Sequence, residues 1–182
     1  MAQAPIFGHP PAFNVDSWTD DGDGKWTCPV IAVSDRAGLV EILRLCGPER
    51  FDEAYAFLAP DDSFFGRTSI AAVLGPHTQQ FRRDDRERLD QVLDRAMPGE
   101  TNMLLVLENS SAWNDRKFIQ QIEDARHHRI TLILVESLIS GMSSTMRARV
   151  DAIVVHPALD EVESRVMYED FFSNYYSRPK IK

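Results

Sequence analysis

Residues 30–43 read VIAVSDRAGLVEIL in one-letter code. The apolar residues 30–33 predict a short buried strand, and the polar residues after them predict a tight turn. Residues 39–46 then place apolar side chains at helical spacing, and Gly47 ends the predicted helix. The pattern leaves three interpretations of the turn between strand and helix: a working phosphate-binding loop, a degenerate one, and an ordinary connection.

The rest of the chain continues this alternation of apolar runs and helical patterns. The further predicted strands cover residues 54–58, 70–74, 103–107, 131–135 and 152–155. The further predicted helices cover residues 84–96, 115–127 and 160–174. Strands that are apolar throughout are typical of parallel sheets covered on both faces. The sequence thus predicts an α/β fold with a mainly parallel, doubly wound sheet and helices on both faces.

The length of 182 residues, 43% of them hydrophobic, fits one globular domain with a sizeable core. Residues 1–27 are rich in Pro, Asp and Gly, which predicts an extended or irregular N-terminal arm before a single α/β domain over residues 28–182. Neither the acidic stretch in this arm nor the two cysteines have the spacing of a calcium or zinc site. No metal site is therefore predicted.

The formal net charge of -8 disfavours non-specific binding to nucleic acid or to an anionic membrane. Four arginines between residues 82 and 88 alternate with acidic residues, which favours a solvated helix start over a binding patch. No apolar run is long enough to span a membrane, and the N-terminus lacks the pattern of a signal peptide. These features predict a soluble, intracellular protein.

In a parallel sheet, ligands bind beside the carboxyl ends of the strands. The residues at these positions are Ser34 to Gly38, the Glu108-Asn109 pair, and Glu136 with Ser137. An apolar strand that ends in acidic or amide residues is typical of a nucleotidase that holds magnesium beside a triphosphate. Such residues also occur as helix caps and surface groups, so this pattern alone leaves both interpretations open.

Residues 124–137, DARHHRITLILVES, are followed closely by residues 144–155, STMRARVDAIVV. Together they resemble the genome-packaging ATPases of poxviruses and other large DNA viruses, which belong to the FtsK/HerA branch of P-loop NTPases. The shared pattern is a helix that ends in Arg-His-His, an apolar strand, and an arginine-bearing segment before another apolar strand. The resemblance extends over roughly residues 100–170, and it implies a P-loop NTPase-like fold.

The resemblance places the opening turn where the family has its Walker A loop. A working loop needs several glycines, a lysine that reaches the terminal phosphates and a hydroxyl for magnesium. Here Ser34, Asp35, Arg36 and Gly38 offer one glycine and no lysine, and Asp35 would face the phosphates with like charge. These four residues are therefore interpreted as a vestigial phosphate loop.

Other positions also depart from the family pattern. Glu108 and Asn109 stand where the family has two acidic residues, and an amide cannot act as a general base. Glu136 replaces the glutamine that senses the terminal phosphate. Arg147 matches the arginine that reaches a neighbouring nucleotide, and a structural salt bridge is the alternative interpretation of this residue.

The first functional interpretation is thus a catalytically degenerate relative of a viral packaging ATPase, without a cofactor, that acts as a structural, assembly or protein-binding component. Its partner would be another protein or a second copy, contacted through the aromatic residues 171–176, in the host cytoplasm or the virion. An alternative is an active Mg-ATP-dependent motor that uses Glu108 for metal and Arg36 or Arg147 for charge. A third is an unrelated α/β binding module.

Overall fold

The structure is a computed structural model that describes residues 29–59, 73–96, 101–113, 115–125, 128–154 and 161–169. In this part of the chain, six strands form one sheet. They are β1 (Val30–Val33), β2 (Glu53–Leu58), β3 (Thr78–Arg82), β4 (Met103–Glu108), β5 (Ile130–Val135) and β6 (Ala152–Val154). Every neighbouring pair is parallel, and the order across the sheet is β3-β2-β4-β5-β1-β6.

Helices connect the strands. They are α1 (Arg36–Cys46), α2 (Arg86–Ala96), α3 (Arg116–Ala125), α4 (Ser144–Arg147) and α5 (Glu161–Met167). Short 3-10 turns lie at Pro48–Arg50, Ser110–Trp113 and Ile139–Gly141. No helix among the described residues is long and apolar enough to cross a membrane.

The side chains of β1, β2, β4, β5 and β6 alternate between two hydrophobic clusters, one on each face of the sheet. On one face, Ile31 and Val33 of β1 pack with the apolar side of α1. On the other, Val30 and Ala32 share a cluster with buried residues of α2, α3, α4 and α5. The central strands β4 and β5 are almost completely buried because both of their faces are covered. The predicted doubly wound α/β fold is therefore confirmed.

One predicted strand is wrong. Residues 70–74 were expected to form a strand, but Val73 and Leu74 are helical, and residues 70–72 lie outside the described ranges. Leu74 is buried in the cluster on the α1 face, so the apolar run reflects a helix packed on the sheet. The strand in this region is β3, whose sequence Thr-Gln-Gln-Phe-Arg has no apolar run that would predict it. The proposed N-terminal arm and the aromatic residues 171–176 also lie outside the described residues.

Candidate functional site

The carboxyl ends of the six strands lie along the same edge of the sheet because all the strands are parallel. The residues at or just after these ends are Ser34, Asp35 and Arg36 at β1, Ala59 at β2, Arg83 at β3, Glu108 and Asn109 at β4, and Glu136 at β5. Residues 34–38, 108, 109 and 136, which the sequence predicted as site residues, are thus brought to one edge. In this fold class, that edge is the ordinary ligand position.

The connection between β1 and α1 is very short. The strand ends at Val33 and the helix begins at Arg36, so Ser34 and Asp35 alone join them. Asp35 has an extended backbone and caps the helix, since its carboxylate accepts a hydrogen bond from the Gly38 N–H at 2.7 Å. A helix N-terminus is the usual place for a phosphate, and here a carboxylate of the chain itself occupies it.

Gly38 has a structural reason to be glycine. A Cβ atom added to it would lie 2.7 Å from Val33 Cγ1 and 3.4 Å from Val154 Cγ1. The first separation is shorter than carbon atoms tolerate, so α1 sits this close to β1 and β6 only because residue 38 has no side chain. Close packing of helix on sheet therefore accounts for the one glycine of the predicted loop.

Arg36 and Glu108 form a bidentate ion pair across this edge. Arg36 Nε lies 2.8 Å from Glu108 Oε1, and Arg36 Nη2 lies 3.0 Å from Oε2. Arg36 Nη2 also donates to the Ala59 carbonyl at 3.2 Å, and the Ala59 N–H donates to Glu108 Oε2. The pair thus joins the start of α1 to the ends of β2 and β4, and such forked contacts are the strongest kind of charge-assisted hydrogen bond.

The carboxyl group of Glu108 remains ionised to an unusually low pH. Burial would raise its pKa, but hydrogen bonds from Arg36 and the Ala59 N–H outweigh burial and lower the pKa below the usual 4.5. The positive charges of Arg36 and Arg83 act in the same direction. Glu108 is therefore an anion that the surrounding groups already neutralise.

Asn109 begins the turn after β4. Its φ of 60° lies in the left-handed region, which asparagine tolerates better than most residues. Its N–H donates to the Val135 carbonyl at 2.8 Å, and its carbonyl accepts from the Ala112 N–H at 3.1 Å. The conformation of the turn thus gives a reason for asparagine at this position.

Glu136 follows β5 and is buried, with 1% of its surface exposed. Its carboxylate accepts hydrogen bonds from the Ser110 hydroxyl and, at 2.9 Å, from the Ser111 N–H. The two donors belong to the 3-10 turn after β4, so Glu136 joins the ends of β4 and β5. Ser110 and Ser111 are not among the predicted site residues, because they belong to no recognisable motif in the sequence.

Arg147 is the last residue of α4. Its Nη1 donates to the Met142 carbonyl and, at 3.4 Å, to the Ser140 carbonyl. The guanidinium thus binds backbone oxygens around the 3-10 turn Ile139–Gly141. The structure does not bring Arg147 together with Arg36 or Glu108 through any contact among the described residues.

The arginines near β3 are mostly paired. Arg82 binds Asp84, and Arg86 binds both Asp90 and Asp115. These contacts agree with the predicted solvated helix start. Within the described ranges, no three acidic, histidine or cysteine side chains are grouped to hold a metal ion.

No model of a known protein family matches the sequence, and no curated protein sequence matches it. Solved structures do match. The genome-packaging NTPase B204 from Sulfolobus turreted icosahedral virus 2, in complex with ATPγS, aligns with 81% of this chain and 84% of its own, at 11% identity and a TM-score of 0.59. B204 from Sulfolobus turreted icosahedral virus, a DNA-packaging ATPase, aligns with 80% and 82%, at 10% identity and a TM-score of 0.53.

The cytoplasmic domain of EssC also matches, over 79% of this chain and 34% of its own, at 15% identity and a TM-score of 0.55. Identities this low establish a shared fold and no more. The resemblance inferred from the sequence is therefore confirmed at that level: the chain shares the α/β fold of the genome-packaging NTPase B204.

Proposed function

We propose that this chain is a catalytically degenerate relative of a viral DNA-packaging ATPase and acts as a structural, assembly or protein-binding component. The Arg36–Glu108 ion pair beside a two-residue strand-to-helix turn is the observation that carries the proposal. The shared fold, over about four fifths of this chain and of B204, supports a packaging-ATPase relative over an unrelated module.

The geometry of the turn opposes nucleotide binding. A P-loop wraps phosphates with the backbone N–H groups of a glycine-rich segment and adds a lysine. Here two residues join β1 to α1, and the Gly38 N–H already binds the Asp35 carboxylate. A phosphate at this helix start would have to displace that carboxylate or lie against its negative charge.

The ion pair also opposes metal binding. Both oxygens of Glu108 accept hydrogen bonds, two from Arg36 and one from the Ala59 N–H. A magnesium ion would have to compete with these donors, and Arg36 would then lose its carboxylate partner. Arg36 is likewise engaged and is not a free cation for a phosphate.

Thermal unfolding with and without millimolar Mg-ATP tests the proposal. A ligand at about 100 times its dissociation constant stabilises the native state by about 2.7 kcal/mol, which is readily measured. We expect no increase in the unfolding temperature relative to magnesium chloride alone. A clear increase with Mg-ATP would contradict the proposal and favour the active motor, and hydrolysis by the native chain and by Glu108→Gln would then separate binding from turnover.

The proposed partner is another protein or a second copy of this chain. The net charge of -8 opposes direct, non-specific binding to the phosphates of a nucleic acid, so the proposed role does not depend on such binding. If the source is viral, the component would act in the host cytoplasm or in the virion.

A further inference from the structure

We draw no further inference here: the strongest candidate, the buried side-chain cluster of Glu136 and Ser110 just beyond the carboxyl ends of β5 and β4, belongs to the candidate site already described, where its hydrogen bonds are accounted for as a link between these two strands.

Discussion

Arg36 and Glu108 lie 72 positions apart in the sequence and form two parallel hydrogen bonds at the carboxyl edge of the sheet. Strand β5 lies between β1 and β4, so the arginine reaches across two strand spacings, about 10 Å, to its partner. The pair holds the first turn of α1 against the ends of β2 and β4. It occupies the position where this class of fold ordinarily receives a ligand.

Glu108→Gln should destabilise the protein. An amide keeps one acceptor but presents an NH₂ group to the donors of Arg36 and Ala59, and it removes the negative charge that faces the Arg36 guanidinium. Hydrogen bonds to charged groups contribute about 1.5–3 kcal/mol each, and we expect a loss of about 2 kcal/mol in the free energy of unfolding. Urea denaturation at pH 7 measures this loss.

Glu41→Gln is the matched control for that change. Glu41 pairs with Arg44 one turn along α1, and both side chains are more than half exposed. We expect a change of about 0.5 kcal/mol or less because exposed ion pairs contribute little. Equal effects for the two substitutions would mean that the Arg36–Glu108 pair does not stabilise the fold.

The same carboxylate should make stability depend on pH. The folded pKa of Glu108 is lower than its usual 4.5, so the unfolded state binds the proton more readily. The stabilisation is therefore complete above pH 4.5 and is lost as the pH falls through the folded pKa. Glu108→Gln should give a shallower loss of stability with falling pH, and an unchanged slope would argue against this assignment.

Asp35→Ala should show the contribution of the cap on α1. The substitution removes the acceptor for the Gly38 N–H, and loss of such a cap costs about 0.5–2 kcal/mol. Asp35→Asn keeps a side-chain oxygen and should remain close to the native protein. Comparison of the two denaturation midpoints separates the hydrogen bond from the charge, and equal losses would show that the charge matters more.

Gly38→Ala should destabilise the protein even though alanine favours helix. The new methyl group would lie 2.7 Å from Val33 Cγ1, and overpacking of this kind costs about 1–3 kcal/mol. The intrinsic helix preference of alanine offsets at most about 1 kcal/mol. Gly141→Ala is the control. A Cβ atom added at Gly141 would lie 4.0 Å from the Leu138 Cβ, which is an ordinary contact distance. A stable Gly38→Ala variant would show that α1 can shift away from the sheet.

The sequence predicted the inner strands well because burial on both faces requires continuous apolar runs, as in β4 and β5. It missed β3, whose sequence Thr-Gln-Gln-Phe-Arg reflects an exposed edge. The apolar run that was assigned instead, residues 70–74, supplies buried Leu74 from a helical turn. The periodicity of a five-residue apolar run does not distinguish a buried strand from a buried helical turn.

Some features of the candidate site are also visible in the sequence, and others depend on the fold. The missing lysine and the lone Gly38 are visible in the sequence, and so is the replacement of an acid by Asn109. The Arg36–Glu108 pair is not, because it depends on the order of the strands and not on any local pattern. The hydrogen bond from the Ser110 hydroxyl to buried Glu136 likewise forms because β4 and β5 are neighbours in the sheet.

Ser110→Ala tests whether Glu136 is a structural acid. Among the described residues, the variant leaves the buried Glu136 carboxyl group with the Ser111 N–H as its donor, and an under-satisfied buried group costs about 1–3 kcal/mol. Ser111→Ala retains that backbone donor and removes only a 3.4 Å contact between its hydroxyl and Asn109 Oδ1, so it should change stability little. Chemical denaturation of both variants makes the comparison. If Ser110→Ala is as stable as Ser111→Ala, Glu136 does not depend on this hydroxyl, and its burial must be balanced in another way.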